Sequence, residues 1–322
     1  MIKQLVTLAV AAYVAPCFAA EGWIVDDLEA AKKQALEQNK DLIIEFTGSD
    51  WCPPCKHLRA TILTTPEFIE AASKNFVLAE LDYPQKKQQS PEVKAANDLL
   101  AQKYNVSGFP TVVFADANGK PFEAFVGAPS KAEVMAALTN SLKKKQELKD
   151  LQAKVESAKD KDAKMEALYA IIKAAPKPFV NSFYGNVKNE LMALDRDDKY
   201  GFRAAEEKAE RLKKDEAALK SYMRQNMKQN MSPSEAVEIL KKFPNREQLL
   251  PESQQRLLMM EFGATMNAMG DVDAGVAILD KLISIDPNSK ISKQAEYTKK
   301  NIILNRDKIK QQHEQRLKAQ SL

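Results

Sequence analysis

Histidine occurs twice, cysteine three times and glycine only ten times in the 322 residues. Three cysteines are too few for a disulfide-stapled scaffold. Glycine so sparse, beside 44% hydrophobic and 29% charged residues, excludes a collagen-like, low-complexity or largely disordered chain. An excess of one charge is missing too. The 48 Lys and Arg face 44 Asp and Glu, a formal net charge of +4, which gives nucleic-acid binding no electrostatic footing. Beyond the first residues no apolar run is long enough to span a membrane. The length fits two domains or one large one. Chemistry must come from a small constellation of side chains.

Residues 1–19 read MIKQLVTLAVAAYVAPCFA. Lys3 leads into an apolar run from Leu5 to Ala15, short of the roughly 18–20 residues that cross a bilayer. Small residues at Cys17 and Ala19 fit a secretory cleavage site, so a signal peptide is expected over residues 1–19. Pro16 before Cys17 argues against a lipoprotein. The mature chain is then expected to be exported to a bacterial periplasm, with no membrane span after cleavage. Loss of Cys17 leaves Cys52 and Cys55, an even pair in an oxidising compartment.

Between residues 23 and 142, helix and strand patterns alternate. Residues 26–39 place Leu28, Ala31, Ala35 and Leu36 at helical spacing. Residues 41–46, 76–82 and 111–115 are short apolar runs that suit buried strands. The turn at 116–119 leads into residues 121–126 as a hairpin partner. Thr65-Pro66 and Ser90-Pro91 are helix starts, and Ser130 with Glu133 is a capping box. The predicted order β-α-β-α-β-β-α is an α/β domain, a central mixed sheet flanked by helices, assigned to residues 20–145. Residues 146–322 are predicted to form an all-α domain, punctuated by Pro176, Pro178, Pro233, Pro244, Pro251 and Pro287. The charged stretch from Lys143 to Lys164 reads as a solvated helix or linker. Residues 236–243 match 275–282 at an offset of 39. With Gly263, Gly270, Leu279 and Pro287, the second copy resembles a tetratricopeptide hairpin, an ordinary helical bundle being the alternative.

The cysteines lie in Asp50-Trp51-Cys52-Pro53-Pro54-Cys55-Lys56, between a predicted strand and a predicted helix. A helix N-terminus offers free N–H groups and partial positive charge, which stabilise a thiolate. Cys52, at the exposed edge of the turn, would attack a substrate disulfide, and Cys55 would resolve the mixed disulfide. Lys56 adds a nearby positive charge. A structural staple closing so short a loop contributes only about 2 kcal/mol. Zinc finds Cys52, Cys55 and His57 but only His313 besides, in the tail, where a structural site takes four ligands. Haem attachment needs histidine where Lys56 stands.

The segment Trp51–Lys56 after a buried strand, with Gly108-Phe109-Pro110-Thr111 opening a later one, resembles the thioredoxin superfamily. Phe46-Thr47-Gly48-Ser49-Asp50-Trp51-Cys52 resembles its exported bacterial members. The resemblance covers residues 22–142 and implies a thioredoxin-like fold. It implies a redox disulfide between Cys52 and Cys55, without metal or organic cofactor, that exchanges with protein cysteines and is recharged by an upstream thiol electron donor. It implies that Pro110 is cis and faces the cysteine pair, with Phe109, Pro110 and Thr111 meeting an extended substrate and Trp51 covering the rim. Glu45 falls where thioredoxins commonly bury an acid that relays the proton of the resolving cysteine. Two departures stand out: Pro53 replaces the usual glycine, and the loop from Glu45 to Cys52 is one residue longer.

Neither Pro53 nor Pro54 has an N–H, which leaves the Cys55 N–H as the nearest donor to the Cys52 sulfur. Cys52 is therefore expected to titrate nearer the thioredoxin value of about 7 than the oxidising extreme of about 3.5. The expected activity is exported thiol–disulfide exchange, as reductant or isomerase rather than strong oxidant. The alternative is an interaction scaffold that uses the helical half, with a docking module of little redox activity.

Overall fold

The computed structural model describes residues 22–320 apart from residue 230. The leader expected at 1–19, with Cys17, lies outside the described residues. The chain divides into two compact units, one up to Tyr200 and one from Gly201 on.

In the first unit, strands β1 (Trp23–Val25), β2 (Asp41–Thr47), β3 (Phe76–Asp82), β4 (Thr111–Ala115) and β5 (Pro121–Val126) form one mixed sheet in the order β1-β3-β2-β4-β5. The first three strands run parallel, and β4 and β5 are antiparallel to their neighbours. Strand β1, unforeseen from the sequence, is three residues long and takes its register from β3. Every residue of β2, β3 and β4 is buried, as strands covered on both faces require. Their period of two divides the core. Leu42, Ile44 and Phe46 join Val77, Ala79 and Leu81 on one face, with Leu28, Ala31 and Ala35 of helix α1 (Leu28–Gln38). Ile43, Leu78 and Phe76 face the other way, onto Leu58, Ile62, Phe68 and Val134. Those four come from helix α2 (Pro53–Leu58), the π-helical turn Arg59–Leu63 that continues it, helix α3 (Pro66–Ser73) and helix α5 (Lys131–Ser157). Helix α4 (Pro91–Lys103) starts at Ser90, whose side chain accepts from the Val93 N–H. The β4–β5 turn closes on Asp116, whose Oδ1 accepts from the N–H groups of Asn118 and Lys120.

The boundary expected at 145/146 falls inside α5, which runs unbroken for 27 residues from its Ser130 capping box. The lysine run that reads as solvent-facing is helical because Lys145 pairs with the buried Asp41 at 2.7 Å and Leu148 packs against the sheet core. Helix α6 (Lys161–Ala174), helix α7 (Val180–Phe183) and helix α8 (Gly185–Leu194) follow in the same unit. Phe179 meets Tyr104 edge-on and Phe183 meets it at a tilt, and the Tyr184 hydroxyl donates to the Pro121 carbonyl at 2.6 Å.

The second unit is helical: α9 (Phe202–Asn226), α10 (Pro233–Lys241), α11 (Pro251–Met269), α12 (Val272–Ile285), α13 (Lys290–Leu304) and α14 (Arg306–Gln320). The two matching segments lie on α10 and α12. Leu240 and Phe243 pack with Leu257 of α11, while Leu279 and Leu282 pack with Leu258. A Cβ at Gly275 would stand 2.6 Å from the Met266 sulfur, so the glycine lets α12 approach α11 closely. Among the described residues no helix is long and apolar enough to cross a membrane.

Candidate active site

Strand β2 ends at Thr47, and the chain turns through Gly48–Trp51 into α2. The turn is held by Gly48, whose carbonyl accepts from the N–H groups of Trp51 and Cys52, at 3.3 and 2.9 Å. A Cβ on Gly48 would sit 2.6 Å from the Trp51 ring, so glycine is required for the indole to lie there. The half-buried indole donates to the Tyr83 carbonyl at 2.7 Å. Ser49 bonds the buried Asp82 through both its N–H and its hydroxyl.

Cys52 is the N-cap of α2, and Pro53 opens the helix, where a missing N–H removes nothing the helix uses. Cys52 and Cys55 are disulfide-bonded at 2.02 Å. The Cys55 N–H donates to the Cys52 sulfur at 3.3 Å, the one donor the Pro-Pro pair leaves close by. Cys55 is fully buried, and Cys52, expected at an exposed edge, is only 3% exposed. Its sulfur is drawn inward by the bond to Cys55 and by capping the helix, while Pro53 and Pro54 form the exposed surface. The Lys56 ammonium folds back to donate to the Asp50 carbonyl at 2.8 Å.

The Phe109–Pro110 peptide bond is cis, as the resemblance implies. The Thr111 hydroxyl donates to the Gly108 carbonyl at 2.7 Å and closes this loop. The loop stands beside the cysteine turn through its aromatic ring, since Phe109 meets Trp51 edge-on at 5.8 Å and Tyr83 at 5.1 Å. Thr111 is in register with Phe46 and Val126, and the Pro110 carbonyl accepts from the Gly127 N–H.

Glu45 shares its side of β2 with Ile43, the face that α2 covers, and it is wholly buried. Its neighbour across the parallel pair is Glu80. One guanidinium serves both, since Arg59, directly after α2, reaches Glu45 Oε2 at 2.5 Å and Glu80 Oε2 at 2.8 Å. Arg59 also lies over the Trp23 ring, 5.2 Å from its centroid. Burial pushes the Glu45 carboxyl up from 4.5 to about 7; Arg59 opposes the shift and Glu80 adds to it. Burial likewise raises Glu80. Among the described residues no group lies within hydrogen-bond geometry of Glu45 Oε1, so a buried lone pair remains for a proton. Arg59 and Glu80 were not singled out by sequence reasoning. Their signal was an acid of matching parity in each of two apolar strands, which calls for a shared counter-charge.

A family model described as a thioredoxin-like domain matches residues 28–142. Disulfide bond reductase DsbH of Chlamydia pneumoniae is 37% identical over 113 residues, covering 34% of this chain and 68% of that protein. Thioredoxin-related protein DsbJ of Chlamydia pneumoniae is 32% identical over 91 residues, 28% of this chain and 26% of that protein. A solved structure titled DsbH Oxidoreductase aligns at 30% identity with a TM-score of 0.36, covering 42% of this chain and 95% of that one. The matched residues hold strands β2 to β5 and both cysteines, and on that evidence the chain belongs to the thioredoxin-like family and is a thiol–disulfide oxidoreductase.

Proposed function

We propose that the chain is an exported reductant or isomerase of protein disulfides. The observation that carries this reading is the Cys52 sulfur at the start of α2, accepting among the described residues from one backbone N–H, that of Cys55. A thiolate held by fewer donors is less stabilised, and a less stabilised thiolate makes a better reductant. In the reduced protein Cys52 attacks a substrate disulfide, and one substrate thiolate leaves. Cys55 then gives its proton to the Glu45 carboxylate and attacks the Cys52 sulfur. The second substrate thiolate leaves, and two electrons have passed from the cysteine pair to the substrate. An upstream thiol donor returns them. With Thr111 in register between two strands and the Pro110 carbonyl bonded to Gly127, Phe109 is the residue of that loop that meets the substrate chain, and Trp51 flanks it.

The test is reduction of insulin by dithiothreitol with catalytic amounts of the wild-type chain or of Cys52→Ser. The expected result is acceleration by the wild type and none by the variant. Equal, negligible rates in both would overturn the reading and favour a scaffold built on the helical unit.

A further inference from the structure

The loop after β3 is fastened to the cysteine motif. Asp50, two residues before Cys52, accepts from the backbone of the loop with both oxygens: Oδ1 from the Gln85 N–H at 3.0 Å, Oδ2 from the Lys86 and Lys87 N–H groups at 2.6 and 2.8 Å. These bonds, that of Gln85 foremost, hold the Asp50 carboxyl down to about 2, so the clasp stays ionised wherever thiols exchange. The indole bond from Trp51 to the Tyr83 carbonyl ties the start of the same loop. Lys86 and Lys87 are thereby held beside the redox turn, both exposed, as is Lys56.

Of the charges at this rim, that of Lys87 acts through space on ionised Asp50 and helps to hold its carboxyl down, yet among the described residues no ammonium there is clasped by a carboxylate. The Lys56 ammonium donates to a backbone carbonyl, and the Lys87 ammonium to the Ser49 hydroxyl at 3.0 Å. None of the three lysines makes an ion pair among the described residues, whereas Lys32, Lys131 and Lys145 each hold a carboxylate. The carboxylates nearby point the other way: Asp50 into the loop backbone, Asp82 onto Ser49. A polypeptide approaching Cys52 therefore meets three exposed ammonium groups against the ionised Asp50, a net positive charge.

We propose that Lys56, Lys86 and Lys87 form a specificity rim that favours substrate cysteines set in acidic stretches of polypeptide. The inference rests on Cys52 being the sulfur that meets the substrate. A carboxylate flanking the substrate cysteine meets ammonium groups that hold no carboxylate of their own in an ion pair, which raises the encounter rate, and a flanking lysine is repelled. The preference acts over about 10 Å at 0.1 M salt and fades as salt rises.

The test uses the full chain, pre-reduced with dithiothreitol and freed of it, as a two-electron donor to three synthetic peptides. Each peptide holds the same small disulfide ring, flanked by Glu, Gln or Lys. Single-turnover rates are measured at low salt and at 0.5 M NaCl. The expected order is Glu above Gln above Lys, with about a tenfold span that collapses in high salt. Joint replacement Lys86→Glu and Lys87→Glu is expected to invert the order, which a merely structural lesion would not do. Equal rates for the three peptides at low salt would overturn the acidic preference while leaving the exchange reading intact. Failure to reduce any of them would overturn the exchange reading and this inference with it.

Discussion

Replacing Glu45 by Gln should flatten the pH dependence of unfolding of the thioredoxin-like domain. The carboxyl sits at about 7 in the folded chain against an ordinary 4.5, so between those values the folded state holds a proton that the unfolded chain releases. A raised carboxyl supports folding fully below the unfolded value, and that support is lost as pH rises through the folded value. At about 1.4 kcal/mol for each pH unit separating the folded and unfolded values, the loss from pH 4.5 to pH 8 is about 3 kcal/mol. Urea titrations read by tryptophan fluorescence isolate the effect, because both tryptophans, Trp23 and Trp51, lie in this domain and the helical unit from Gly201 on is silent. Asp41, also raised by burial, titrates in both proteins and cancels in the difference, while Glu80, which shares Arg59 with Glu45, is held down more strongly in the variant. The oxidised wild type should lose about 3 kcal/mol more than Glu45→Gln across this range. Parallel curves would show that burial does not hold Glu45 protonated, and the proton-relay role would fall with it.

Arg59→Leu leaves Glu45 and Glu80 buried without their shared counter-charge, a loss of about 3–5 kcal/mol by the same urea assay; a change below about 1 kcal/mol would mean that the guanidinium does not offset them. Alkylation of the reduced chain across pH should report a Cys52 thiol near 7, and a value below about 5 would contradict the argument from missing N–H donors. In the helical unit, Gln255 donates to the Leu282 and Asp286 carbonyls and to the Ser292 hydroxyl. Gln255→Leu should therefore destabilise the α11–α13 hairpins by about 2–4 kcal/mol, seen as faster amide exchange there, and unchanged exchange would refute it.

Most of the sheet was legible because its strands announce themselves. Residues 76–82, 111–115 and 121–126 are strands with those bounds, since largely apolar runs ending at turn residues leave few other folds for the chain. Trp23–Val25 is too short to show a period and becomes a strand only by pairing with β3. The Lys143-Lys144-Lys145 run hid the continuation of α5, because whether a lysine faces water or a buried Asp41 is decided by a contact 104 residues distant. The cysteine pair and cis Pro110 were readable as local motifs. Arg59 was not, because its meaning depends on the register that sets Glu45 beside Glu80. The clasp of Asp50 on the Gln85–Lys87 backbone was hidden in the same way, since its partners lie 35 to 37 residues on.

The central claim is that the Cys52 sulfur forms the bond to the substrate. Mass spectrometry of Cys55→Ser mixed with a disulfide-bonded protein tests it directly. The account requires a mixed disulfide mapped to residue 52, absent when Cys52→Ser is added. An adduct of equal yield in the doubly substituted chain, or none with Cys55→Ser, would contradict it.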